Sequence, residues 1–560
     1  MTNKKHRRGS DRKAEIVRDI VTARADSALL PNRRQIQEFL ECYVADVPVD
    51  DLAGRAPDTM ARIALSHLEF GATRKKGKAL LRIFNPVEQS HGYTSPYTFV
   101  EMVNDDMPFL VDSVTAAINR HDLAVHITVH PIISVRRDTN GKIEAIAKPE
   151  SDGSQSESFI RLAIDRETDP RELKLLETEI RQVLADVRVS VRDWQKMRKK
   201  MLETRELLEL GPKDVDENLR QESKEFLHWM ADDHFTYLGY REYTLRSRGK
   251  KTVLDAVPGT GLGLLAKDEK DPKPIELTKE MQRLTRQKDW LIITKANSRS
   301  TVHRNAYLDY IGVKTYDDKG KVRGERRFIG LFTSVAYSES PRNIPLLRHK
   351  VSRVLDRAKI DPSAHRGKAL LHIIDTFPRD ELFHSTVQDL ARTTLGILNL
   401  QDRQRVKFFL RRDTFRRFFS CLVYVPREKF TTAIRLRIEA VLKEAFNGTS
   451  VDSSIQISDS ALARVHIIVH TPSGERPRIS IQTIEERIAA IVVTWSDRLR
   501  QQLGEVFGPD EGPTLYRTYR DVFPLGYQED VTPHEACSDI RQLESMLAEG
   551  VRRSVDLYIP

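Results

Sequence analysis

One stretch, residues 99–137 (FVEMVNDDMPFLVDSVTAAINRHDLAVHITVHPIISVRR), constrains the fold more than any other. Residues 99–103 are apolar and β-branched enough for a buried strand. Asn104, Asp105 and Asp106 then offer capping side chains, and Pro108 stands where a first helical turn tolerates a missing N–H. Leu110, Val114, Ala117 and Ile118 follow at helical spacing, one stripe facing a sheet. Val125, Ile127 and Val129 alternate with His126, Thr128 and His130, which gives a strand one apolar and one polar face. The pattern is strand, acidic corner, helix, strand.

The same pattern is read twice more. A second unit starts with a strand at 328–335, continues through Ile344, Leu347, Val351, Val354 and Leu355, and closes with a return strand at 369–374. A third runs from 418–425 through Ile434, Ile438, Val441, Leu442 and Ala445 to strands at 451–457 and 465–469. Each first strand meets a proline-bearing corner: Pro108, Pro341 with Pro345, and Pro426. The intervals are unequal, so this is duplication of a domain and not a solenoid.

Four segments carry a family resemblance: VNDDMPFLVDSV, ADDHFTYLGYREY (231–243), GKALLHIIDTFPRDELF (367–383) and FFSCLVYVPREKF (418–430). The first resembles the opening of an ACT-type regulatory domain. Together, in this order, they resemble the amino-terminal part of the large bacterial NAD-specific glutamate dehydrogenases. The resemblance implies an α+β, multidomain chain with three ACT-like, ferredoxin-like units and long connecting helices. It also implies a dehydrogenase core beyond the last residue of this sequence, and NAD as the cofactor of the full-length enzyme, with none bound by this segment.

Size and composition agree with several soluble domains. A chain of 560 residues at 39% hydrophobic buries more than one core. The formal charge of +10, from 91 basic against 81 acidic residues, is small for the length, so solvated surface is preferred to a nucleic-acid footprint. Cys42, Cys421 and Cys537 lie far apart, which speaks against a disulfide framework or zinc site and for a reducing, cytoplasmic setting. No apolar run approaches membrane-spanning length.

The expected domains are a basic flexible tail at 1–30, a helical lead-in with the first ACT-like domain at 31–168, and a long connecting helix at 169–218. A mixed region with the second ACT-like domain follows at 219–400, the third ACT-like domain at 401–482, and a helical linker at 483–560. Within that linker the Gly/Pro-rich run 504–513 reads as loop, and 554–559 reads as a strand.

Few residues carry chemistry. PGTGLG, with Gly259, Gly261 and Gly263, lacks the spacing and following helix of a dinucleotide fingerprint and reads as a turn. His121, His126 and His130 tempt a metal reading, but residues four apart on a strand are separated by roughly 13 Å, too far for metal bonds of about 2 Å. Asn104, Asp105, Asp106 and Pro108 form an amino-acid-binding corner if the acidic groups take an ammonium and the helix start takes a carboxylate. Phe109, where such domains often carry glycine, favours the other reading, in which the acidic residues are helix caps. Arg299, His303 and Arg304 form a basic loop able to meet an anion, or a surface hairpin. Arg411, Arg412, Arg416 and Arg417 interleave with Phe415, Phe418 and Phe419, and core plus solvated edge is preferred there to nucleic-acid stacking.

The implied function is the regulatory and assembly portion of a glutamate dehydrogenase, non-catalytic alone. Its expected partners are its own or an adjacent dehydrogenase core, further copies of itself in a homo-oligomer, and an amino-acid effector, with no membrane. A free-standing amino-acid-sensing or scaffold protein is the alternative.

Overall fold

Residues 99–137 fold as their pattern dictates. Strands β1 (Leu80–Phe84), β2 (Thr98–Asp105), β3 (Val125–Val129), β4 (Ile132–Arg137), β5 (Ile143–Ile146) and β6 (Ser154–Ile164) form an antiparallel sheet ordered β1-β2-β6-β4-β5, with β3 also beside β6. Period-two alternation sends Val100 and Met102 to one face and Phe99 and Val103 to the other. The first face packs under the corner helix Leu110–Arg120 and the long helix Pro170–Leu207, which buries Leu176, Ile180, Val183, Leu184 and Val187. Asp169 caps that long helix by accepting the Arg171 N–H at 2.8 Å. The second face packs under helices Arg33–Val44 and Pro57–Gly71, through Ile36, Phe39, Leu40 and Tyr43. Each such fully buried aliphatic side chain contributes about 1.5–3 kcal/mol.

The computed structural model describes residues 2–23, 30, 32–53, 56–146, 151–211, 216–249, 251–266, 274–278, 281–283, 289–400, 403–458, 460–472, 480–553 and 555, without the side chains of 2–12 and 210. The chain divides into two compact units, Met1–Leu346 and Leu347–Pro560. The expected strand at 554–559 lies outside the described residues except for Val555.

The expectation of a flexible tail at 1–30 is corrected. Thr2–Ala23 is a helix, and Ile16, Val17, Ile20 and Val21 join the second-face core. The polar first half hides an amphipathic second half.

The middle ACT-like unit is also corrected. Seven strands, β7 (Phe235–Arg248), β8 (Lys251–Ala256), β9 (Leu262–Gly263), β10 (Ile275–Glu276), β11 (Leu291–Arg299), β12 (Tyr307–Tyr316) and β13 (Val322–Phe332), form an antiparallel sheet ordered β10-β8-β7-β13-β12-β11, with β9 beside β7. This sheet belongs to the first compact unit. The expected return strand at 369–374 is part of the helix His365–Asp375, with Leu370 and Ile374 buried one turn apart. A short apolar run fits a strand or a buried helix equally well. The boundary at Leu346 further cuts the domain expected at 219–400.

In the second unit, helices Leu347–Ala358, His365–Asp375, Arg379–His384 and Val387–Leu398 precede a four-stranded antiparallel sheet. Its strands β14 (Lys407–Arg412), β15 (Phe418–Pro426), β16 (Ser450–Gln456) and β17 (Leu462–His470) are ordered β14-β15-β17-β16. Helices Thr432–Ala445 and Ile481–Val492 cover the face bearing Phe419, Cys421, Val423 and Val425. The run 504–513 is not a loop. It is a kink inside Trp495–Tyr519, where Gly508 adopts φ 85°. A Cβ on Gly512 would lie 2.6 Å from the Leu503 carbonyl oxygen and 2.8 Å from Gly504 Cα, so only glycine lets the two arms close. Among the described residues no helix is long and apolar enough to cross a membrane.

Candidate functional site

The acidic corner at the end of β2 is spent on internal ion pairs. Asp105 Oδ1 accepts from Arg74 Nη2 at 2.8 Å, and Oδ2 accepts from Arg188 Nη1 at 2.5 Å and from the Gly77 N–H at 3.1 Å. The Asn104 side-chain oxygen accepts from Arg188 Nη2. Arg74, itself fully buried, also reaches Glu157 at 2.7 Å, and Arg137 binds both oxygens of Glu157 at 2.7 Å. Burial opposes ionisation of Asp105, but the hydrogen bonds from Arg188 and Arg74 outweigh it and hold the carboxyl below its usual range. Asp106 accepts from Ser158 Oγ at 2.7 Å. The network ties β2, β6 and the long helix together, so these acidic groups have partners without any ligand.

The basic loop is placed unexpectedly. It docks on the start of the corner helix: the His303 N–H donates to Ser113 Oγ at 2.8 Å, and the His303 ring lies 5.1 Å from that of Phe109. Arg304 Nη2 donates to the Phe332 carbonyl at 2.8 Å, and the Arg299 guanidinium stands 4.5 Å from the Tyr307 ring centre. The two candidate groups therefore meet, at Phe109, as packing.

His121, His126 and His130 separate, bonding Glu179 at 2.8 Å, Asp165 at 2.7 Å and Ser158 at 3.1 Å. Gly259 and Gly263 turn the chain with φ of +73° and +57° into the short strand β9. Arg411 and Arg417 are held by Glu381 and Asp413.

A cavity missed by the sequence reading lies between the long helix and the start of β7. Its volume is about 280 Å³, and it is lined by Pro108, Phe109, Ser190, Val191, Trp194, Arg198, Ala231, Asp233, Phe235, Thr236, Tyr237 and Thr333. Trp194 is 42% exposed. Among the described residues the buried Tyr237 hydroxyl has no hydrogen-bond partner. Burial pushes this phenol above its usual range, so it is a neutral O–H. The signal in the sequence was ADDHFTYLGYREY, which contains Asp233 and Tyr237 but gave no hint of Arg198 opposite.

In the second unit, Lys350 Nζ donates to the carbonyls of Leu382, Phe383 and Ser385 at 3.0, 2.7 and 3.0 Å. Three acceptors call for the three N–H groups of the ammonium. Burial, helped by Arg411, lowers its pKa to about 8, which leaves it charged at neutral pH.

Four family models match the chain. They are glutamate dehydrogenase ACT1 domain at residues 39–180, helical motif 1 at 344–403, ACT2 domain at 407–496 and helical motif 2 at 502–546. An NAD-specific glutamate dehydrogenase of Halomonas elongata is 36% identical over 531 residues, covering 94% of this chain and 33% of the relative. Those of Pseudomonas aeruginosa and Mycobacterium tuberculosis are 34% and 28% identical, covering 91% and 87% of this chain and 32% and 30% of themselves. The chain thus spans about a third of the length of the curated relatives it matches.

Proposed function

We propose that this chain, whose matched domains and relatives support the glutamate dehydrogenase family, is the regulatory and assembly portion of an NAD-specific enzyme of that kind. The reaction would be oxidation of L-glutamate with NAD⁺ and water to 2-oxoglutarate, ammonium and NADH, with the catalytic groups and NAD site supplied by sequence outside residues 1–560. The observation that carries this reading is that every matched segment is an ACT domain or a helical motif, in chains about three times as long. The ACT units would then act as rigid bodies between copies of a homo-oligomer in the cytoplasm. They would shift the enzyme between conformations when an amino acid binds one of them better.

The test is an NADH-absorbance assay on three proteins: this chain, the corresponding full-length enzyme, and that enzyme lacking residues 39–180. The expected result is no turnover by the chain alone, turnover by the full enzyme, and loss of assembly or amino-acid response on deletion. Turnover by the isolated chain would refute the reading. A full-length enzyme indifferent to the deletion would favour the free-standing sensor or scaffold instead.

A further inference from the structure

The cavity beside β7 is lined by two solvent-exposed charges, Arg198 and Asp233, and by one buried hydroxyl, Tyr237, that the described residues leave unsatisfied. Arg198 uses Nε to hold the Ala231 carbonyl at 2.6 Å, which leaves its two Nη groups with no hydrogen-bond or ion-pair partner among the described residues. The Asp233 carboxylate likewise has none, and only its backbone carbonyl is engaged, by Thr333 Oγ1 at 3.1 Å. A guanidinium and a carboxylate line one cavity without pairing with each other. Both act electrostatically on the Tyr237 hydroxyl, which is buried and unbonded. A buried O–H left without a partner costs about 1–3 kcal/mol.

Apart from the hydroxyl residues Ser190, Thr236 and Thr333, the remaining wall is apolar, with Phe109, Trp194 and Phe235 its aromatic part. Two lining residues, Phe109 (φ 72°) and Asp233 (φ 56°), hold the left-handed conformation that non-glycine residues rarely adopt. Such strain persists where the surroundings impose it, and it gathers at ligand sites. The volume of about 280 Å³ exceeds the roughly 150 Å³ of a cavity that takes benzene.

We propose that this cavity binds a free amino acid with an apolar or aromatic side chain, its carboxylate on Arg198, its ammonium on Asp233, a polar atom on the Tyr237 hydroxyl and its side chain against Trp194 and Phe109. The corner at Asn104–Asp106 takes no part, since both of its carboxylates are already engaged within the fold. The site deepens the regulatory reading by naming an effector class, and depends on that reading only for the consequence of binding.

The test is isothermal titration of the full chain with L-phenylalanine and L-leucine, beside phenethylamine and 3-phenylpropanoate. Saturable binding of at least one amino acid is expected, with each half-ligand about tenfold weaker or worse, the worth of one charged hydrogen bond. Arg198→Gln and Asp233→Asn should each weaken binding about tenfold, and asparagine tolerates the left-handed turn at 233. Tyr237→Phe should weaken binding several-fold while leaving the melting temperature of the empty protein unchanged or higher, since it removes an unsatisfied group. That pair of opposite effects separates a ligand contact from a structural role. No saturable heat with either amino acid, or affinities untouched by all three substitutions, would overturn the proposal. Binding that leaves the full enzyme's activity and assembly unchanged would keep the site and refute the regulatory reading. A regulated enzyme in which neither amino acid binds would do the reverse.

Discussion

The two ACT-matched regions seal the second face of their sheets in different ways. In 39–180, Glu101 on β2 stands directly opposite Arg161 on β6, pairs with it, and takes Arg82 of β1 at 2.5 Å. The Arg161 guanidinium lies 3.8 Å from the Phe99 ring centre and donates to the Tyr93 hydroxyl at 2.7 Å. Carboxylate and both guanidinium groups belong to the sheet itself. In the second region the carboxylate is foreign to the sheet. Glu381, from the helix Arg379–His384, takes both Nε and Nη2 of Arg411 on β14, at 2.7 and 2.6 Å. Burial works against the Glu381 charge, and Arg411 and His466 more than compensate, holding its carboxyl well below the usual range. The same buried chemistry therefore stiffens one sheet and docks a helical segment onto the other.

Removing one partner of a buried ion pair leaves the other uncompensated, at a cost of about 3–5 kcal/mol. Glu381→Gln should impose that cost on the second unit, read as a lower urea midpoint in the emission of Trp495, that unit's single tryptophan. Glu101→Gln should instead lower the midpoint seen through Trp194, Trp229 and Trp290. If each substitution moved both transitions alike, the contrast between a stiffened and a docked sheet would be wrong.

A second difference is acid sensitivity. His67 is fully buried between Tyr43, whose hydroxyl donates to Nδ1 at 2.9 Å, and the Met102 carbonyl, 3.2 Å from Nε2. Burial lowers its pKa from 6.5 to about 4. The unfolded chain therefore takes the proton first. Stability of the first unit is full above pH 6.5 and falls as pH drops toward 4, by about 3 kcal/mol in all. Urea midpoints measured across that window should show the decline in the first-unit tryptophans, and His67→Gln should flatten it.

Lys350 offers a smaller handle on the docked side. Lys350→Met leaves three buried carbonyls of the Arg379–His384 end without their donor, at a cost of about 2 kcal/mol. The Trp495 transition should shift by that amount and the first-unit transition should not.

What was legible in the sequence follows from how local each signal is. Strand alternation at 125–129, the apolar strand at 418–425 and the corner helix stripe are written in neighbouring residues, and all are present. The run 369–374 reads as a strand from sequence because five apolar residues around His372 carry no period of their own, and burial of Leu370 and Ile374 decides for helix. The kink at Gly508 was misread because glycine and proline mark a turn equally whether the arms separate or pack. The corner was legible as caps or ligand site but not as an ionic lattice, since Arg74 and Arg188 lie 31 and 83 residues away from Asp105. The cavity needed Arg198 and Tyr237 from separate elements, and no local spacing joins them.

The smallest effect concerns the corner itself. Phe109 stands where ACT-like corners often have glycine, and its φ of 72° is the conformation glycine holds without strain. A left-handed L-residue costs about 1–2 kcal/mol. Phe109→Gly removes that strain and also the ring's contact with His303, so the two changes oppose each other. Phe109→Ala loses the same contact and keeps the strain. The alanine variant should therefore be less stable than the glycine variant by about 1 kcal/mol, measured as a difference in urea midpoint of the first unit. Equal midpoints would mean that the backbone relaxes on truncation, and that the ring and not the fold holds residue 109 in place.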